Sequence, residues 1–461
     1  MKRLLLITLI VNTLFISVSC AVSPNAPQSS IDMDETIEEV VHNEYLSNEE
    51  IKARGHVSIA PEYVSEVSMG YNNADGSKTL YVYAQPVNYI NESMEWAPIQ
   101  TAIKEVDETR MLEMGYRYTI KASDIRTYYP EVMTPNLGIK LQKNLYDFGV
   151  VSGNTFDSEY IQKNNFIGNN RDMILYRDAI DGADMYVYPS NLGTNAEIEI
   201  DQPFAKNQFQ LWVKIGDDMT IVRQPGGYLT IETKENDKSV ILGVIQKPLL
   251  KDVQGNYSYD CSIRSIREGE DNRYMVTFTI DETMNRTGTN VFVAFEVRRE
   301  KQPDNCLYSA KPSLTHAYLA NYSVIGNSNE YGIGRLMLRY TLAPFAIQPE
   351  QIRSVTYELY ALTNTGADIE LVTVLEDWCS ITGNWNNQYK TGEQIFQTCF
   401  TDHVWTFDIT ESVKAWFGDE SAQLEHNGLQ LRYVNENKNE SDIILSNDNS
   451  LYMNVTVINF D

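Results

Sequence analysis

Apolar and polar residues alternate along many short stretches of this chain, and this alternation constrains the fold more than any other feature. Successive side chains of a β-strand point to opposite faces, so each stretch predicts a strand with one buried face. Turn sequences such as Asp181-Gly182 and Pro225-Gly226-Gly227 separate the stretches, and no βαβ pattern indicates a parallel sheet. The clearest stretches carry apolar residues at Phe209, Leu211, Val213 and Ile215, at Tyr274, Val276, Phe278 and Ile280, and at Val291, Val293, Phe295 and Val297.

A polar, proline-containing stretch at Lys301–Asp304 is typical of a linker, and further alternating stretches follow it. We therefore predict an all-β protein with two antiparallel β-sandwich units, one at residues 61–302 and one at residues 308–461. A single short amphipathic helix is predicted in the second unit, with Asp408 or Thr410 as its cap and Gly418 at its end. Its apolar positions follow helical spacing at Ile409, Val413, Trp416 and Phe417.

The N-terminus is predicted to be a signal peptide over residues 1–20. Lys2 and Arg3 precede an apolar run from Leu4 to Val18, which is too short to span a membrane. Cys20 follows this run as in a bacterial lipoprotein box, so we expect a lipid anchor there and contact with a membrane only through that lipid. Cleavage after Ala21 and free secretion are the alternative. Both place the protein outside the cell or on its surface.

Residues 21–60 are predicted to be an acidic tether. Eight acidic residues occur from Asp32 to Glu50, and residues 21–51 contain no lysine or arginine. The whole chain has 63 acidic and 37 basic residues, for a net charge of −26. A phosphate backbone would be repelled, so nucleic acid is not expected as a partner.

Four cysteines remain once Cys20 is set aside: Cys261, Cys306, Cys379 and Cys399. Export permits disulfides, and a Cys379–Cys399 bridge would close a loop around Trp385. Buried thiols are an equally good explanation, because a chain of this length does not need cross-links. No CxxC or CxxH spacing indicates zinc.

Six short motifs occur in the second unit in a fixed order, and together they are specific where none is alone. They are His316–Leu319, Asn327–Gly332 with Arg335–Tyr340, Glu376–Trp378, Asn384–Gln388, Phe407–Trp416, and Asn427–Leu431. In this order they resemble the DNRLRE domain, related to carbohydrate-binding module family 96, over residues 309–460. The resemblance implies a jelly-roll-like sandwich that binds polysaccharide through basic and aromatic residues.

Four residues are the candidate ligand-binding set: Arg335, Arg339, Arg432 and Trp385. Arg335 and Arg339 share one face of a strand, and Arg432 joins them if its strand is adjacent. Guanidinium groups bind hydroxyls and carboxylates with several donors at once. The alternative is that these arginines are solvated or pair with Glu358 across the sheet.

Most tryptophans of the second unit are expected to pack in the core rather than to stack on a sugar. Trp378, Trp405 and Trp416 are expected to pack inside, whereas Trp385 lies among asparagines in a predicted loop. Residues 308–461 contain eight basic and nineteen acidic residues, so a neutral glycan is a better partner than an acidic one.

No sequence motif indicates catalysis. HExxH, GxSxG and P-loop motifs are absent, and the five histidines are scattered. Glu376 and Asp377 are adjacent on a strand and face opposite ways, so they do not make a hydrolase pair. The acidic stretches at 435–442 and 447–449 could hold a structural calcium ion, but we interpret them as solvated turns and predict no cofactor.

The sequence therefore predicts an exported, lipid-anchored, non-catalytic surface protein that binds a polysaccharide or cell-surface glycan through its C-terminal unit. The alternative is a structural or adhesive surface module, or the remnant of a larger repeat-containing surface protein, with no sugar site of its own.

Overall fold

The protein is all-β: in the part of the chain that the structure describes, 57% of the residues lie in strands and 7% in helices. A computed structural model describes residues 48–141, 145–269, 271–297, 304–314, 322–338, 345, 347–378, 383–387, 389–397, 399–401, 403–418, 427–445 and 455–461. Every strand pairing within these ranges is antiparallel, as predicted.

The N-terminal half of the described chain consists of two short helices and fifteen strands. They are α1 (Asn48–Ala53), β1 (His56–Ile59), β2 (Ser68–Asn73), β3 (Lys78–Tyr83), β4 (Asn88–Ile90), β5 (Trp96–Pro98), β6 (Gln100–Glu105), α2 (Thr109–Glu113), β7 (Tyr116–Ala122), β8 (Thr127–Pro130), β9 (Val132–Met133), β10 (Ile139–Leu141), β11 (Tyr146–Val150), β12 (Phe156–Asn164), β13 (Asn170–Ile180), β14 (Ala183–Ser190) and β15 (Gly193–Glu199).

The remaining described elements are twenty strands and one helix. They are β16 (Gln208–Ile215), β17 (Met219–Arg223), β18 (Leu229–Glu235), β19 (Lys238–Ile245), β20 (Leu249–Lys251), β21 (Tyr257–Ser258), β22 (Ser262–Glu268), β23 (Arg273–Thr279), β24 (Asn290–Val297), β25 (Asp304–Tyr308), β26 (Tyr322–Ser328), β27 (Gly332–Leu338), β28 (Ile352–Tyr360), β29 (Ile369–Val374), β30 (Thr391–Phe396), β31 (Cys399–Thr401), β32 (Val404–Asp408), α3 (Thr410–Gly418), β33 (Leu429–Tyr433), β34 (Ser441–Leu445) and β35 (Val455–Phe460).

The first sandwich joins two large sheets from the middle of the chain. An eight-stranded sheet has the order β22-β23-β16-β11-β10-β8-β7-β6, and it faces an eleven-stranded sheet whose main path runs β17-β18-β19-β24-β15-β14-β13-β12-β9. The inward residues of both sheets form one apolar core, in which Phe148 stacks on Phe295 with 3.8 Å between ring centres. The alternation of apolar and polar residues in β16 contributes to this core, because Leu211 and Val213 face inward.

The second sandwich contains both the earliest and the last strands. One sheet has the order β1-β2-β3-β35-β28-β32-β31, and the other has the order β30-β29-β33-β27-β26-β34 with β25 paired to β27. Trp405, Tyr357 and Leu431 lie fully buried between the two sheets. The strands at residues 56–83 therefore belong to the sheet of the C-terminal strands, and the expected boundary at residue 61 does not coincide with a division between sheets.

Residues 48–59 are ordered, although the sequence assigned them to the acidic tether. They form α1 and β1, and Ile51 and His56 are buried there. These residues are ordered because they pack on the outer face of the sheet that contains β1 and β35. Ile51 joins an apolar cluster there that includes Tyr71 and Tyr81. The rest of the predicted tether and the predicted signal peptide lie outside the described residues.

The eleven-stranded sheet is buried on both faces at its centre. Val293 and Phe295 of β24 face the first core, while Phe292 and Ala294 pack on the apolar cluster of the second sandwich. The sequence predicted β24 as a half-buried strand, and this was wrong because the second sandwich packs on the face that solvent was expected to occupy.

The predicted amphipathic helix is present as α3. Ile409, Val413 and Phe417 are buried, and the Asp408 carboxylate accepts a hydrogen bond from the backbone N–H of Thr410 at 3.0 Å. Two further short helices, α1 and α2, occur in the described residues before the predicted second unit. Within the described part of the chain, every helix is too short or too polar to span a bilayer.

Candidate functional site

Three of the four candidate ligand residues lie together on the outer face of the β25–β27–β33–β29–β30 sheet. β27 pairs with β33, so the strands of Arg335 and Arg432 are adjacent, as the candidate site requires. Leu336 of β27 and Leu431 of β33 are register partners, and both face the core of the second sandwich. Arg335 and Arg432 come next to this pair along their strands and point the other way. We call this solvent-side surface the arginine face.

Arg335 is held by two different neighbours. Its Nε donates to Oε1 of Glu436 at 2.7 Å, and its Nη2 donates to Oε2 of the same carboxylate at 2.7 Å. The guanidinium also lies 4.8 Å from the centre of the Trp385 ring. The two side chains of the ion pair remain 18% and 19% exposed. The result is a bidentate, charge-neutral pair stacked on an indole at the surface.

Trp385 links this pair to an apolar cluster on the same face. The cluster contains Leu307, Met337, Val374 and Trp378, with Trp385 and Tyr389 packed against it. These last two residues come from the loop that precedes β30, so the loop lies over the outer side of the sheet. Trp385 is only half buried, whereas Trp378 and Trp405 are buried and Trp416 is half buried on α3.

Arg432 binds a carboxylate on the neighbouring strand. Its Nε donates to Oε1 of Glu370 at 2.8 Å, and the Glu370 side chain is only 4% exposed. The partner named in the alternative interpretation, Glu358, does not pair with Arg432, because Glu358 lies on β28 in the opposite sheet. Burial raises the pKa of Glu358, and the positive charge of Arg54 opposes that rise.

The remaining residues singled out in the sequence are placed less completely. Arg339, Cys20 and Cys379 lie outside the described residues, so the third arginine, the lipid anchor and the Cys379–Cys399 bridge stay predictions. Cys399 is exposed on β31. Cys261 is a buried thiol whose pKa burial raises to about 12.

The acidic stretch at 435–442 uses its described carboxylates within the protein. Glu436 binds Arg335, and Asp442 accepts hydrogen bonds from the hydroxyls of Tyr433 and Thr363 at 2.6 and 3.1 Å. Residues 447–449 lie outside the described chain. Asp442 is buried on β34, so the interpretation of 435–442 as a solvated turn does not hold at this end of the stretch.

Elsewhere in the described chain, the carboxylates of Asp178, Asp184 and Asp201 come within 4.8 Å of one another. Partial desolvation and the neighbouring acids raise the pKa of Asp201. Exposed acidic clusters are common in a chain of this charge, and this one carries no metal assignment.

Glu436 and Glu370 are the site residues that sequence reasoning missed. Glu436 follows Arg432 by four residues, and Glu370 lies opposite Arg432 on the neighbouring strand. Only the strand order identifies the two carboxylates as partners of the arginines. Two further residues extend the surface: Phe396, the register partner of Glu370, is 56% exposed, and Leu375 is 58% exposed.

No family model matches the chain, and no curated protein matches it. Among solved structures, a galactose complex of an exo-β-1,3-galactanase from Phanerochaete chrysosporium is 8% identical, covering 87% of this chain and 95% of that chain, with a TM-score of 0.09. A likeness at that TM-score carries no structural or functional argument.

Proposed function

We propose that the protein is exported, lipid-anchored at Cys20 and non-catalytic, and that its DNRLRE-like sandwich binds a neutral cell-surface glycan on the arginine face. The single observation that carries the binding proposal is the Arg335–Glu436 pair on the half-buried Trp385 ring. The pair offers hydrogen-bond donors and acceptors side by side with no net charge, which suits the hydroxyls of an uncharged sugar.

An apolar platform beside this pair supports the same proposal. Phe396 presents an exposed ring next to Glu370 and Arg432 along one row of the sheet. The apolar face of a sugar ring stacks on such a side chain while its hydroxyls reach neighbouring polar groups. The described histidines support a non-catalytic role, because His56 contacts an amide and a phenol, and His403 contacts a backbone carbonyl.

The test is a glycan array followed by titration calorimetry with any neutral glycan that binds. Arg335→Ala and Phe396→Ala are expected to weaken binding at least about tenfold. Arg353→Ala is the matched control, because Arg353 is also ion-paired, to Asp75 and Asp461, but lies in the other sheet. Equal binding by all three variants would contradict the proposal.

The lipid anchor is tested separately by mass spectrometry of the mature protein. A diacylglyceryl group on Cys20 is expected, and an unmodified mature N-terminus at Val22 would contradict anchoring.

A structural or adhesive module without a sugar site is the second candidate. The observation that favours it is that carboxylates already hold both described arginines of the set. Flat signal across neutral and acidic glycans, from a protein that is folded by circular dichroism, would establish this candidate. Release of reducing ends from polysaccharides would instead indicate a hydrolase and overturn both.

A further inference from the structure

A second polar surface lies on the outer side of the eight-stranded sheet, away from the arginine face. Alternate residues of β16, β23 and β22 point outward there, and those between them face the first core. Gln210, Lys214 and Arg264 are exposed on this side, and Ile266 is 59% exposed. We call this surface the β16–β23 face.

Positive charge exceeds negative charge on this face. Lys214, Arg264 and Arg273 form no ion pair within 4.0 Å among the described residues, but Asp147 is the register partner of Lys214 and Glu268 is the register partner of Arg273. Asp147 also pairs with Lys140 of β10 at 3.1 Å. The face therefore carries four cations against two carboxylates, in a protein whose net charge is −26.

Lys214, Arg264 and Arg273 differ in their ion pairing from the two arginines of the arginine face. Arg335 and Arg432 each bind a carboxylate directly, so their charge is neutralised. Lys214 and Arg273 are register partners on adjacent strands and repel each other, and Asp147 and Glu268 on their outer sides offset only part of this repulsion. The arrangement therefore favours an anionic ligand.

A buried indole provides a second, independent observation. Trp212 is 2% exposed and lies flat across β11, where a Cβ added to Gly149 would come within 3.0 Å of its Nε1 and within 2.8 Å of its Cζ2. The Arg273 guanidinium covers the other side of the ring, 4.7 Å from its centre. Glycine at position 149 is what lets the ring lie against the sheet.

Both members of this stack have a buried donor without an acceptor. Among the described residues, neither the indole Nε1 of Trp212 nor the Nε of Arg273 has an acceptor, and Arg273 donates a long hydrogen bond of 3.4 Å from Nη1 to the side-chain oxygen of Asn136. Stacking on the indole fixes the Arg273 guanidinium on this face, beside Lys214.

Uncharged hydrogen-bonding groups continue the surface along the strands. Gln208 and Gln210 of β16 donate to the hydroxyls of Thr279 and Thr277 of β23, each at 3.0 Å. These pairs form a ladder of amides and hydroxyls beside the cations. Arg264 is opposite Thr277, four residues along β23 from Arg273, which corresponds to about 13 Å at the usual rise of a strand.

We propose that the β16–β23 face is a binding site for an anionic polysaccharide, with Lys214, Arg264 and Arg273 bound to its acidic groups and the Gln–Thr ladder bound to its hydroxyls. The spacing of the cations suits an extended polymer that lies along the strands. Carboxylate and sulfate groups share this chemistry, and the experiment separates them. The site lies on the first sandwich and does not depend on the proposed glycan site of the second.

The experiment measures binding of the full chain to polygalacturonate, dextran sulfate and neutral dextran by affinity electrophoresis and calorimetry. Binding to at least one anionic polymer and none to dextran is expected. The double variant Lys214→Gln/Arg264→Gln is expected to weaken that binding at least about tenfold and to reduce its salt dependence. Preference for one anionic polymer identifies carboxylate or sulfate as the group that is bound.

The matched control removes two cations from the other sheet of the same sandwich, as Lys234→Gln/Lys238→Gln. It is expected to change the affinity by less than about twofold. Arg273→Lys keeps the charge but loses the buried donor, and it is expected to weaken binding without changing the salt dependence. Equal losses in the control and the β16–β23 double variant, equal binding of neutral dextran, or no binding of either anionic polymer would each overturn the proposal.

Discussion

The hydroxyl of Thr79 donates a hydrogen bond to the side-chain oxygen of Asn459 at 2.9 Å, across 380 residues of sequence. Directly beside this bond, Leu80 of β3 is the register partner of Ile458 of β35. Both of these apolar side chains are fully buried in the second sandwich. The stability of the C-terminal sandwich therefore depends on residues near the N-terminal end of the described chain.

We expect Ile458→Ala and Leu80→Ala each to lower the free energy of unfolding by about 2–4 kcal/mol, because each leaves a cavity in the same core. The effect of the double variant on the free energy of unfolding should differ from the sum of the two single effects by at least about 0.5 kcal/mol. Urea denaturation of the two single variants and the double variant measures this. Strict additivity would show that β3 and β35 do not pack together in solution.

Removal of Arg432 is expected to be more damaging than removal of a surface arginine. Arg432→Ala leaves the Glu370 carboxylate buried without its partner, which costs about 3–5 kcal/mol for a buried pair. The double variant Arg432→Ala/Glu370→Leu should recover part of that loss. The comparison is Arg177→Ala, whose partner Glu159 is exposed and whose loss should leave the free energy of unfolding almost unchanged.

Acid is expected to destabilise the docking of β1 through His56. Burial lowers the pKa of this imidazole below its ordinary value of 6.5, the nearby charge of Arg54 lowers it further, and the hydrogen bond with Asn73 opposes both. The unfolded chain therefore takes up a proton at a higher pH than the folded one. The stabilisation is complete above about pH 6.5 and is lost as the pH falls towards the folded pKa.

The measurement for His56 is the free energy of unfolding between pH 7.5 and about pH 5. His56→Gln should flatten the decline of this free energy on acidification. An unchanged slope in His56→Gln would rule out this histidine as the titrating group.

Gly149 should not tolerate a methyl group. Gly149→Ala places a Cβ within 2.8 Å of the Trp212 ring, so the indole must leave its position on the sheet. We expect a lower melting temperature and a red shift in tryptophan emission. Gly153→Ala is the control, since nothing lies within 4 Å of the added Cβ. Identical spectra for both variants would mean that Trp212 does not lie over this glycine.

Local pattern predicted the elements well where one face alone is buried. The alternation in β16 placed Leu211 and Val213 in the core, and the spacing of Ile409, Val413 and Phe417 predicted α3. The pattern failed at β24, where Phe292 and Ala294 are buried by a neighbouring sandwich. Alternation indicates which residues share a face but not what covers it.

Partners in space were harder to predict than elements. Nothing in the sequence near Thr79 indicates Asn459, because pairing between distant strands leaves no local signal. The same difficulty explains the arginines: their placement on one face followed from alternation, but their carboxylates depend on strand order. Alternation along β16 indicates that Trp212 faces away from the first core, but its contact with Arg273 depends on the neighbouring strand.

The eleven-stranded sheet is a wall that the two cores share, in the sense that its central strands supply side chains to both cores. Loss of order in either sandwich would expose one side of this wall to water and remove the packing that supports the other. Calorimetry should therefore record one cooperative melting transition rather than two, and a protein in which one half melts while the other survives is not an expected intermediate.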